Sequence, residues 1–241
     1  MKIDQRTKGV LCILCSALCF AGMSTFVRLA GDLPLFEKAF FRNAVAAMAA
    51  ALMIRRDHVP IYIGKGNLKF VLLRSLFGTI GVLLNFYAID RLNLADANML
   101  NKLSPFFAII FSYFLLKESV RPIQALAVAG AFFGALLIIK PTGAGMEVFP
   151  AMMGLLSGVC AGAAYTFLRK ATGGQFAITA AYTYAPAKEI SVYDYAQVIF
   201  SGIIGFFLFH QVPDGLSFLG YGLIIAMAVL NFIYHNHFEG K

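Results

Sequence analysis

The chain has 241 residues, 60% of them hydrophobic and 13% charged, with a formal net charge of +8 and a mean hydropathy of +0.77. A soluble domain is ~45–50% apolar and ~25% charged, so a soluble class is excluded, and the lack of short alternating segments excludes a β-barrel. The Lys and Arg residues lie scattered between apolar runs rather than along a stripe, which argues against a nucleic-acid partner and for cations held on one side of a bilayer.

The predicted class is all-α, a polytopic helical membrane protein whose spans fall near 9–30, 35–54, 69–89, 94–115, 122–140, 148–168, 190–209 and 215–234. A run of about 20 apolar residues rises ~30 Å at ~1.5 Å per residue, the thickness of the hydrocarbon core. The first run is longer than the apolar region of a signal peptide and is expected to stay as a span. Cys12, Cys15 and Cys19 share one face of it, and Cys160 lies in the sixth run. With no His or carboxylate nearby on that first helix, all four read as small buried hydrophobes rather than metal ligands.

Charge sets the expected orientation. An inside N-terminus places Lys2, Arg6, Lys8, Arg55, Arg56, Lys65, Lys69, Lys117, Arg121, Arg169 and Lys170 on the cytoplasmic side. The other side keeps Arg28, Lys38, Arg91 and Lys140, partly offset by Asp32, Glu37, Asp90 and Glu147. A cytoplasmic N-terminus follows from that asymmetry, and a bacterial inner membrane is the expected location.

Glycine ridges predict close helix approach. Gly130 and Gly134 are four apart in the fifth span, and Gly154, Gly158 and Gly162 repeat every four residues in the sixth. Such ridges pack helices within one subunit or between two, so a homodimer stays open as an alternative.

Two passages carry a family resemblance: RSLFGTIGVLLNFYAIDRLNLADANMLNKLSPFFAIIFSYFLLKE, from Arg74 to Glu118, and GQFAITAAYTYAPAKEISVYDYAQVIFSGIIGFFLFHQVPDGLSFLGYGLII, from Gly174 to Ile225. They resemble the EamA branch of the drug/metabolite transporter superfamily. The resemblance implies ten spans in two five-span repeats of inverted topology. Residues 1–141 would be the first repeat and 142–241 an incomplete second one, with a gap near 169–174. The seventh span and the front of the eighth would be missing, roughly 40–50 residues at ~20 per span plus connections. Residues 174–187 make about 21 Å of helix and carry Gln175, Thr179 and Thr183 as a polar stripe, so they are expected not to span. The last two helices would then keep the family orientation, with the C-terminus inside.

Ionisable groups inside spans are costly, and each asks for a reason. Asn98, Asn101 and Lys102 lie within two turns of the fourth span, ahead of Pro105, which frees a backbone carbonyl. Their counterpart is the polar helix start bearing Lys188, Glu189, Ser191, Tyr193, Asp194, Tyr195 and Gln197. Polar helix starts in corresponding places of two halves point to a transporter site at the repeat interface. The predicted substrate-binding set is Asn98, Asn101, Lys102, Ser191, Tyr193 and Tyr195. Glu189, Asp194 and Arg42 are candidates for coupling or ion pairing. Lys188 and Glu189 are equally read as interfacial residues, and Arg42 as snorkelling outward. Arg74, one turn into its span, reads as snorkelling to the cytoplasmic side.

No G-x4-G-K-[ST], H-E-x-x-H or G-x-S-x-G motif occurs, so neither an ATP motor nor a protease or hydrolase is supported, and no cofactor or metal is expected. The resemblance implies a secondary exporter or exchanger of small metabolites such as amino acids, nucleotide-like cofactors or drugs, rather than an enzyme. Its partners would be a small-molecule substrate and the lipid bilayer. The alternative is a non-transporting fragment of such a transporter.

Overall fold

The computed structural model describes residues 5–57, 66–140, 148–172 and 194–238. They form nine α-helices and no strand: α1 (Gln5–Leu29), α2 (Leu35–Asp57), α3 (Leu68–Arg91), α4 (Leu94–Asn101), α5 (Ser104–Phe111), α6 (Pro122–Ile139), α7 (Val148–Thr172), α8 (Ala196–Phe209) and α9 (Gly215–Phe238). A π turn, Ser112–Leu116, prolongs α5. Among the described residues six helical stretches are long and apolar enough to cross a bilayer, the α4–α5 pair counting as one. The chain is a multi-pass membrane protein. Its outer faces are lined with exposed Phe and Leu, such as Phe36, Phe40 and Phe207, which in a bilayer face lipid.

The predicted fourth span is not one helix. Pro105 has no N–H, and its ring crowds the carbonyl four residues back, that of Asn101. Accordingly α4 stops at Asn101 and α5 begins with Pro105 in its first turn. The break exposes backbone at the depth where α7 and α8 converge.

Glycine decides how closely α7 approaches that break. A Cβ on Gly158 would sit 2.8 Å from the Leu100 carbonyl oxygen, and one on Gly162 would sit 2.8 Å from that of Ser104. The other ridge serves α6 against α9, where a Cβ on Gly134 would meet Ile224 at 2.8 Å and one on Gly130 would meet Met227 at 2.6 Å. Both ridges are therefore used within the chain. The α3–α7 and α6–α9 contacts are the most extensive among the described residues.

Side-chain contacts fix the helix directions. At one end Lys38 pairs with Asp90 at 2.8 Å, and Arg28 donates to the carbonyls of Ile89 (3.0 Å) and Leu92. This joins the end of α1, the start of α2 and the end of α3. Lys140, closing α6 in a left-handed conformation (φ 48°), pairs there with Asp214 just before α9. That ammonium holds the Asp214 carboxyl below the usual carboxylate range, through the hydrogen bond it donates. At the other end Arg121 reaches the Tyr234 hydroxyl at 3.3 Å, and Arg169 pairs with Glu118 at 2.7 Å. Helices α6 and α9 are thus antiparallel, as are α7 and α8, and α9 ends on the face where α1 begins. Residues 174–187, expected not to span, lie outside the described residues.

One expectation needs correction. Cys160 is buried, but Cys12, Cys15 and Cys19 are exposed. Their face of α1 points away from α3 and α8, the helices on which α1 packs, so a shared helical face did not mean a buried one.

Candidate functional site

A cavity of about 440 Å³ opens among α1, α2, α3, α4 and α7, with Asp194 and Gln197 at the start of α8 closing one side. Of the predicted site residues, Asn101, Lys102, Asp194 and Arg42 line it. Lys102 stands at the helix break, and its ammonium pairs with Asp194. Asn101 donates from Nδ2 to Ser157 Oγ at 3.0 Å, tying the end of α4 to α7.

Asn98 and Tyr195 stand behind the cavity wall. Asn98 is 1% exposed and uses its whole amide. Its Oδ1 accepts from Ser24 Oγ (3.1 Å) and Gln197 Nε2 (3.0 Å), while its Nδ2 donates to the Leu94 carbonyl (2.9 Å) and Ser201 Oγ (2.9 Å). That network binds α1, α4 and α8 together and leaves Asn98 no free group for a solute. The Tyr195 hydroxyl donates at 3.2 Å to the Lys102 carbonyl, which the helix break has left available. Ser191, Tyr193 and Glu189 lie outside the described residues.

Several lining residues escaped the sequence reading. Arg74 faces the cavity, contrary to the snorkelling expected of it, and Asn43, Asn85 and Tyr165 join it. Arg42 Nη1 donates to Asn43 Oδ1 at 2.9 Å. Asn85 Oδ1 is buried and finds no hydrogen-bond partner among the described residues. Isolated polar residues in apolar runs were the available signal, and Asn85 had it. What the sequence lacked was any indication of which helix face looks inward.

A buried carboxylate was also missed. Asp96 is fully buried and accepts from the Tyr221 hydroxyl at 2.5 Å and from Asn93 at 3.0 Å, joining α4 to α9 away from the cavity.

Comparison with known proteins adds an independent line. The profile of the EamA-like transporter family matches residues 7–140. The Pseudopaline exporter CntI of Pseudomonas aeruginosa is 26% identical over 279 aligned positions, covering 95% of this chain and 97% of that protein. An alignment of 279 positions outruns a chain of 241 residues, so the exporter holds internal residues with no counterpart here. The shortfall is about two spans at ~20 residues each. Solute carrier family 35 member G1 of Homo sapiens is 32% identical over 136 residues, 55% of this chain and 36% of that protein. A crystal structure with 16% sequence identity matches 98% of each chain at a TM-score of 0.50, a likeness of fold alone.

Proposed function

The chain belongs to the EamA-like transporter family and is a membrane transporter of the drug/metabolite type; from that membership we propose that it is a secondary exporter or exchanger of small metabolites working by alternating access. Amino acids, nucleotide-like cofactors and drugs are the candidate substrate classes. The observation that carries the reading is the polar cavity at a broken helix, where Lys102 and Asp194 meet across two halves of the chain. Half-helix ends at such a break supply unpaired backbone groups where a solute binds. Asn101 and Lys102, with Ser191 and Tyr193, are the proposed solute contacts, and Asn98 and Tyr195 hold the wall behind them. Asp194, Glu189 and Arg42 remain the candidates for coupling.

Two inverted repeats, 1–141 and 142–241, would account for the helix pairing. Helix α1 runs parallel to α8, as α7 does to α4 and α5, an arrangement that such a repeat would produce. Insertion in a bacterial inner membrane with a cytoplasmic N-terminus fits the charge asymmetry.

One observation favours a second reading, a non-transporting fragment: the length by which the exporter alignment outruns this chain. Flux into vesicles containing the purified chain separates the two. Uptake of a solute above empty vesicles supports the transporter. No uptake across a broad metabolite panel, restored when two spans are inserted after Lys170, supports the fragment.

A further inference from the structure

The cavity carries two cations that no carboxylate among the described residues neutralises. The cations at the far end are all accounted for: Lys38 by Asp90, Lys140 by Asp214, Arg28 by two carbonyls, and Arg91 by the ring of Tyr87 at 3.8 Å. Lys102 is matched by Asp194. Arg42 and Arg74 both line the cavity, yet neither forms an ion pair with a carboxylate among the described residues. They are near enough to feel each other's charge, and the Tyr165 phenol lies within the influence of both. Holding like charges together at membrane depth is costly unless a counter-charge arrives, and ionisable groups kept there mark solute pathways. Guanidinium is also the side chain whose fork matches carboxylate and phosphate oxygens.

We propose that the solute this cavity receives is an organic anion, its carboxylate or phosphate oxygens bound by Arg42 and Arg74. The inference rests on the transporter reading and names its substrate class. With the Lys102–Asp194 pair self-neutralised, the two guanidiniums give the described lining of the cavity an excess of two positive charges, which a zwitterion would leave uncompensated. Asn85 Oδ1, buried and without a donor among the described residues, can accept from a hydroxyl or N–H on the same solute. Tyr165 offers a phenol beside the oxyanion.

The test is equilibrium binding to the purified full chain in detergent, with labelled succinate, glycerol 3-phosphate, glycine betaine and putrescine, followed by flux of the same four into vesicles. Succinate or glycerol 3-phosphate should bind, and the preferred one tells carboxylate from phosphate. The Arg42→Gln/Arg74→Gln variant should bind it about 10–100-fold more weakly, the factor a hydrogen bond to a charged group commands. Arg42→Lys/Arg74→Lys, which keeps the charge but not the fork, should recover part of that loss, and this recovery separates a binding role from a folding defect. The proposal is overturned if neither anion binds, if the Gln variant binds as tightly as the unaltered chain, or if betaine or putrescine binds in preference. Transport of betaine or putrescine would leave the transporter reading standing while removing this one. Anion binding without flux would do the reverse.

Discussion

Asn98 is the residue on which the packing of three helices converges, and its removal has a calculable cost. Three of its four hydrogen bonds cross between helices, to Ser24 on α1 and to Gln197 and Ser201 on α8. Interhelical hydrogen bonds in membrane proteins average ~0.6 kcal/mol, so three amount to about 2 kcal/mol. Truncation to Ala leaves a void of a few tens of Å³, adding up to about 1 kcal/mol at ~24 cal/mol per Å³. Ser24 keeps its bond to the Phe20 carbonyl at 3.1 Å and is not orphaned, which holds the total near the low end. Asn98→Ala should therefore destabilise the protein by about 2–3 kcal/mol, roughly a 30–150-fold shift in the folding equilibrium. Asn98→Asp should cost at least as much, because its second oxygen would face the Leu94 carbonyl where an N–H now donates. Reversible unfolding in mixed micelles reads the change, and a solute-binding titration on the same variants should show affinity little altered among molecules that remain folded. A cost below about 0.5 kcal/mol for Asn98→Ala would refute the packing argument. A selective loss of binding without loss of stability would return Asn98 to the solute.

Gly158→Ala should cost about 1–3 kcal/mol, because its Cβ would lie 2.8 Å from a backbone carbonyl, whereas Gly222→Ala, with nothing within 4 Å, should be neutral or stabilising; thermal unfolding of the pair checks the contrast. Lys102→Met should lower solute uptake more than the Lys102→Met/Asp194→Asn double variant does, since the single change strands a carboxylate in the cavity; equal losses would mean that the pair does not act as a unit. The Lys140–Asp214 pair should stabilise the protein above the usual Asp pKa near ~4 and lose that contribution as pH falls through the depressed folded value. Asp214 is half exposed, so screening limits this to about 0–1 kcal/mol, and Asp214→Asn should flatten the acid limb of a stability-versus-pH curve by no more than that. A reporter fused after Lys241 should read out on the same side as one at the N-terminus, following the antiparallel α6–α9 pair; opposite sides would overturn the helix directions given above.

Much of the fold was legible because a bilayer leaves the chain few options. Span length, the Gly154/Gly158/Gly162 ridge and the helix-breaking Pro105 each express one local rule, and each acts as that rule requires. Partners were harder. Arg42 and Arg74 are 32 positions apart in sequence on different helices, and only the crossing of α2 and α3 turns both into one cavity. Asn98 and Lys102 share a helix face by spacing, yet the break at Asn101 separates them, so one is locked into the wall and the other faces the cavity.

The sequence by itself determined that this is a helical membrane protein, where its spans run, and to which family it is similar, because hydropathy, proline and glycine act over one or two turns. Which polar groups satisfy one another and which are left for a solute was decided by the tertiary structure alone. Hydrogen bonds and ion pairs act across a few ångströms of space, and only the packing of α1, α4, α7 and α8 brings residues far apart in the chain within that reach.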